Sequence, residues 1–326
     1  MSVALRPDTT AAARRRGRGG APAAGESGPR LSRLDLRLSP YLYVAPFFVV
    51  FGIFGLYPLV YTLWVSLHDW ELLGSRTFVG IDNYTKLFAD DLFWNAVLNT
   101  TGIFVLSTVP QLLVALGFAS LLNRGLTGRL VFRLGIILPI VTSVAAVAIV
   151  FNQLYSRDFG LVNWVLGGLG VDRIEWQAHR WSSWVAIASM VNWRWTGYNA
   201  LIYLAAMQAI PRDLYESAAL DGASAWRQFR SITVPLLRPT IIFTVIISTI
   251  GGFQLFTEPL LFNPGANGIS GGSLRQFQTV TMYVYENAFG RFDYGYAAAA
   301  AWLLFMLILV ASLVNFLIVR RMNSTK

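Results

Sequence analysis

The sequence predicts an all-α polytopic membrane protein with six transmembrane helices and both termini in the cytoplasm. Three observations carry this. The 326 residues are 55% hydrophobic and only 13% charged, about half the charged share of a soluble domain. Several apolar stretches reach the roughly 20 residues that a helix needs to cross a hydrocarbon core of about 30 Å. These stretches are continuous rather than alternating, which excludes a barrel and leaves the helix as the structure that pairs every backbone polar group within lipid.

The chain opens with an Ala-, Gly- and Arg-rich segment around RRRGR (14–18) that carries little apolar pattern. Residues 1–38 therefore read as a disordered basic cytoplasmic tail, ahead of a membrane domain over 39–326. No short apolar region and small-residue cleavage site follow the basic block, so the tail is not a cleavable signal. The six spans are expected near 41–67, 96–122, 130–155, 182–206, 240–262 and 296–319, and an even number puts both termini on one side. With the tail inside, eighteen basic residues face the cytoplasm and seven face out, as the positive-inside rule requires. The net charge of +9 is thus a topology signal toward membrane lipid, not a nucleic-acid footprint.

Three outer loops are long enough to fold over the membrane face. TFVGIDNYTKLFADDLFWNAVLNT (77–100) is rich in interfacial aromatics, and 159–176 is too short and glycine-broken to span, so it is expected to lie along the interface. The loop 263–295 contains NPGANGISGGS, which reads as flexible. The chain has no cysteine, and His68 and His179 have no neighbour at ligand spacing, so neither disulfide nor metal site is expected.

Between the fourth and fifth spans lies YESAALDGASAWRQFRSITVP (215–235), a charged insert between apolar runs. Pro211 can open a helix, and Asp213 and Glu216 favour a helix N-terminus. A break is expected near Asp221 and Gly222. A second helix would start at the cap Ser224 and run until Pro235 ends it. Trp226, Phe229 and Arg230 share a face of that second helix, which suits either docking into a partner groove or folding back over the helix ends.

This insert resembles the signature loop of permease subunits in binding-protein-dependent ABC importers, EAAxxxG followed after nine residues by IxLP. The matches are Glu216, Ala218, Gly222, Ile232 and Pro235, with Asp221, Gly222 and Ala223 forming the extended DGA; Ser217 and Val234 depart mildly. FVGIDNY (78–84), FWNAVLNT (93–100), YGYAAAAAW (294–302) and the terminal RR are similar to stretches in the carbohydrate group of these permeases, the maltose-transporter type. The resemblance implies a type I ABC importer permease fold in a prokaryotic plasma membrane, with 207–237 as the coupling loop. The implied partners are a second homologous permease, two ATPase subunits that carry ATP and magnesium, and an extracytoplasmic sugar-binding protein. It makes Glu216, Ala218, Asp221, Gly222, Ala223, Ile232 and Pro235, with Trp226 on the aromatic face, the ATPase-coupling residues. No GxxxxGK[ST] phosphate loop occurs in the chain, so no cofactor is expected on this subunit, and it is not an enzyme.

Polar groups inside spans are costly and mark pathways by default. Asn192, Thr196 and Asn199 form one stripe in the fourth span, with Trp195 beside them. Gly251, Gln254 and Glu258 form another in the fifth. Amides, a carboxylate and the aromatic Trp193, Trp195, Tyr198 and Phe256 would suit a neutral oligosaccharide, although such a stripe is equally expected from interhelical hydrogen bonding. Arg194 and Glu258, the two ionisable residues placed within the membrane, are candidates for an ion pair; snorkelling of Arg194 or an interfacial Glu258 are the alternatives. QLFTEPLLF and GISGGSL most resemble permeases for cellobiose and cello-oligosaccharides, with maltodextrin, trehalose, chitobiose and glycerol-3-phosphate as other solutes. A stand-alone secondary transporter would show inverted repeats and discontinuous helices, and neither is evident in the sequence.

Overall fold

A computed structural model describes residues 30–72, 74, 76–124, 128–265 and 267–323. The basic segment 1–29 lies outside the described residues. The chain divides into two compact units, Met1–Pro58 and Leu59–Lys326.

In the first unit, α1 (Arg30–Phe51) begins inside the stretch read as tail and contains Pro40 and Pro46. A π turn over Gly52–Leu56 follows, closed by the Tyr57 N–H on the Gly52 carbonyl. The large apolar side chains from Tyr41 to Tyr57 are exposed, so this helix is apolar all round, as a lipid-facing helix is. It continues as α2 (Tyr57–Ser66), and Ser39–Ser66 is long and apolar enough to span.

The second unit starts with the paired strands β1 (His68–Asp69) and β2 (Thr77–Phe78), then α3 (Asp82–Phe88). Asp90 caps α4 (Asp91–Asn123), its Oδ1 accepting the Leu92 N–H at 2.7 Å. Next come α5 (Arg129–Val141), α6 (Val144–Leu154), α7 (Leu161–Gly168) and α8 (Arg180–Gln208). The helices α9 (Asp213–Leu220) and α10 (Ala225–Gln228) lead through a π turn to α11 (Val234–Leu236) and α12 (Arg238–Phe253). They are followed by α13 (Thr257–Phe262), α14 (Val280–Tyr285) and α15 (Tyr294–Asn323).

The centre of this unit is the pair α4 and α8, on which α5, α12 and α15 pack. Backbones approach closely where the residue is glycine: a Cβ on Gly197 would fall 1.7 Å from the Ile136 carbonyl, and one on Gly252 would meet the Phe104 ring at 2.5 Å. Small residues at crossings are how helices associate in lipid, where hydrophobic attraction between them is absent.

Two spans depart from the continuous helices expected. Segment 130–155 is broken by a 95° bend between α5 and α6. Thr142 and Ser143 are extended there, and Thr142 turns its N–H and its hydroxyl back onto the Leu138 carbonyl. Segment 240–262 stops at Gln254 and restarts as α13, so a discontinuous helix is present after all. Three helices meet the length and apolarity of a span among the described residues, or five if each bent pair counts as one. The fourth expected segment, 182–206, is the 29-residue α8, long enough but too polar to meet that measure.

The loop 263–295 is a hydrogen-bonded scaffold rather than a flexible segment. Arg275 grips both Glu286 oxygens at 2.7 and 2.8 Å, and its carbonyl accepts from Asn95 and Asn99 of α4 at 2.9 and 2.8 Å. Burial alone would raise the Glu286 carboxyl, but hydrogen bonds from Arg275 and Gln278 outweigh it and hold the group below the usual carboxylate value. Asp90 is likewise held down against its burial, by the hydroxyls of Tyr283 at 2.5 Å and Tyr296 at 2.8 Å.

Candidate functional site: a mid-helix cavity and a helical hairpin

At mid-length of α4 and α8 a cavity of about 460 Å³ opens between α4, α8 and the end of α12, within the size range of small-molecule sites. It exists because α12 stops early. The Gln254 N–H still bonds back to Ile250, but the Leu255 carbonyl has no helical partner; the hydroxyls of Thr279 and Thr281 satisfy it at 2.8 and 2.6 Å. The loop scaffold thereby pins the break open. Arg194, Trp195, Asn199, Gln254 and Glu258 all line the cavity, with Tyr198, Gly251 and Phe256.

Arg194 and Glu258 do pair, Nη1 to Oε1 at 2.5 Å, with both side chains largely buried. The stripe on α8, however, is split. Asn192 and Thr196, with Trp193, line a separate cleft of about 430 Å³ beside α5. Thr196 spends its hydroxyl on the Asn192 carbonyl at 2.6 Å. Sequence reasoning missed Ser107, Thr108 and Gln111 of α4, Ser248 of α12 and Thr257 of α13, which add to the cavity's polar lining. The signal was available, since 107, 108 and 111 share one face of an otherwise apolar helix.

The hairpin lies at the other end of α4 from the Arg275 scaffold. Its turn is a Schellman motif: the Ala223 N–H reaches the Ala218 carbonyl and the Gly222 N–H reaches Ala219. Gly222 takes the left-handed φ of 76° that the motif needs, and nothing stands within 4 Å of a Cβ placed there. Ser224 caps α10, accepting the Arg227 N–H. Two expectations shift. Pro211 precedes the Arg212 cap rather than opening α9. Pro235 does not end the second helix, because the π turn Phe229–Thr233 lets the chain pass through it into α11, after which a 67° bend leads to α12.

Phe229 packs on the core formed by α4, α8 and α12, and the Tyr215 and Thr233 hydroxyls join the two arms at 2.9 Å. Ala218, Ile232 and Pro235 are half-buried, whereas Glu216, Asp221 and Gly222 are exposed. Trp226 stacks on Phe229 yet stays 69% exposed, and Leu220 is 90% exposed. The hairpin is thus anchored on one face and leaves an apolar and acidic face uncovered.

Residues 100–324 match the family described as the binding-protein-dependent transport system inner membrane component. The chain belongs to this family. The lactose transport system permease protein of Rhizobium radiobacter is 37% identical over 281 residues, 85% of this chain and 92% of the relative. The arabinooligosaccharides transport system permease protein of Halalkalibacterium halodurans is 34% identical over 85% of this chain and 86% of its own length. A solved bacterial ABC transporter involved in the import of the acidic polysaccharide alginate superposes with a TM-score of 0.75 at 25% identity, over 91% of this chain and 100% of that one. This permease therefore has the type I ABC importer fold and sits in the inner membrane as a transport component, with ATP hydrolysis on separate subunits.

Proposed function

We propose that this permease forms half of the translocation pathway of an ATP-driven oligosaccharide importer. It crosses the membrane six times, with α8 as the fourth span; its buried Thr196 and Asn199 sit among other helices rather than in lipid, which accounts for its polarity. Both termini and the hairpin face the cytoplasm, where the basic residues concentrate. The observation that carries the reading is the cavity at mid-length of α4 and α8. It combines amides and hydroxyls that can hydrogen-bond sugar oxygens with Trp195, Tyr198 and Phe256, which can stack on sugar faces.

The hairpin docks in a cleft of an ATPase subunit, with Glu216, Asp221 and Gly222 at the contact and Trp226 as the aromatic anchor. Its uncovered face supports docking over covering. A second related permease, two ATPases holding ATP and magnesium, and an extracytoplasmic binding protein complete the importer. Cello-oligosaccharides are the specific substrate we assign, on QLFTEPLLF and GISGGSL. Co-expression with the neighbouring genes and purification through this chain is expected to recover the ATPase and the second permease together. Recovery of this chain alone would contradict the proposal. The sugars bound by the partner binding protein test the substrate assignment.

A further inference from the structure

Arg194 and Glu258 are the two charged residues lining the mid-helix cavity, and their hydrogen-bonding capacity is mostly unspent. A guanidinium offers five N–H donors and a carboxylate about four acceptor positions. One bond is used, Nη1 to Oε1. Among the described residues Nε is enclosed and meets no acceptor, and neither Nη2 nor Oε2 makes a hydrogen bond. Charges taken out of water are tolerated only when their remaining donors and lone pairs are satisfied. Here a donor and an acceptor belong to one ion pair among the residues lining the cavity, with no net charge between them.

We propose that the Arg194–Glu258 pair is the charge filter of the pathway, receiving two neighbouring hydroxyls of an uncharged saccharide and rejecting saccharides that carry a carboxylate. One hydroxyl oxygen accepts from Nη2, and the next hydroxyl donates to Oε2. A sugar carboxylate in this place faces Glu258 and finds the arginine already neutralised, whereas an amino sugar faces Arg194. The other polar groups of the wall, Ser107, Thr108, Gln111, Asn199, Ser248 and Gln254, are uncharged and add no preference of sign. This inference rests on the oligosaccharide reading of the cavity and adds the charge class to it.

The test is calorimetric binding to the purified membrane complex without its binding protein, using cellotetraose and tetragalacturonate as probes. Wild type is expected to prefer cellotetraose. Glu258→Gln leaves the arginine uncompensated and is expected to move the ratio about tenfold or more toward the acidic probe. Arg194→Gln/Glu258→Gln, again neutral, is expected to return it. Arg194→Gln alone is an independent arm that stands if the first variant does not assemble, and is expected to shift preference toward a chitosan tetramer. A wild type that prefers tetragalacturonate, or a ratio unmoved across the variants, overturns the filter alone. A wild type that binds neither probe overturns the saccharide reading and the filter with it.

Discussion

A buried guanidinium left without its carboxylate costs about 3–5 kcal/mol, more than the pair itself contributes. Arg194→Ala and Glu258→Ala are therefore expected to lower the melting temperature of the purified protein strongly and non-additively, with the double variant no worse than the poorer single. Strictly additive decrements would contradict a pair at 2.5 Å. These two residues were legible in the sequence because charge inside an apolar run is rare. Ser107, Thr108 and Gln111 were equally visible by spacing and went unread, being hydroxyls and one amide in a long apolar helix. Asn192 was grouped with Asn199 in one stripe, and the structure separates the two. Asn192 lines the cleft beside α5, away from the cavity that Asn199 lines, and periodicity alone cannot say which neighbour a polar stripe faces.

The break at Gln254 is set partly by its own residues and partly by residues far along the chain. Pro259 has no N–H to close a helix on the Leu255 carbonyl, and the hydroxyls of Thr279 and Thr281, more than twenty residues on, bond that carbonyl instead. Replacing each by valine removes a hydrogen bond worth about 1 kcal/mol, and the double variant also strands a buried carbonyl. A stepwise fall in melting temperature is expected, with serine at either position restoring most of it. The same scaffold is acid-sensitive. The Glu286 and Asp90 carboxyls are lowered in the folded state, so their contribution is full above the unfolded value near pH 4 and is lost as pH falls through the folded values. Melting temperature is expected to hold from neutrality to about pH 5 and drop below about pH 4, with Glu286→Gln flattening part of the drop. The hairpin was the opposite case, since Ser224 and Gly222 announce a cap and a left-handed turn locally. Two prolines misled: Pro211 precedes the Arg212 cap, and the π turn that carries the chain past Pro235 leaves no sequence mark.

At the scale of the molecule, the proposed function asks two features to communicate: a hairpin anchored at one end of α4 and a cavity at its mid-length. The link runs through α10, α11 and the 67° bend into α12, whose end forms the cavity wall. The overall class, the family and the hairpin were legible from composition, charge asymmetry and a spaced motif. The bend between α5 and α6 is local, made where Thr142 turns back onto Leu138, while the break at Gln254 combines a local proline with contacts distant in sequence. Gly222 is the sharpest probe of the whole arrangement. A side chain there costs about 1 kcal/mol of backbone strain, and its Cβ meets nothing within 4 Å among the described residues, so loss of uptake with assembly and stability intact points to a partner. The decisive measurement is ATP-dependent uptake of labelled cellotetraose by proteoliposomes containing the whole importer, wild type beside Gly222→Trp. Uptake by the wild type and its loss in the variant, with membrane insertion unchanged, is the predicted result; undiminished uptake by Gly222→Trp would contradict the account.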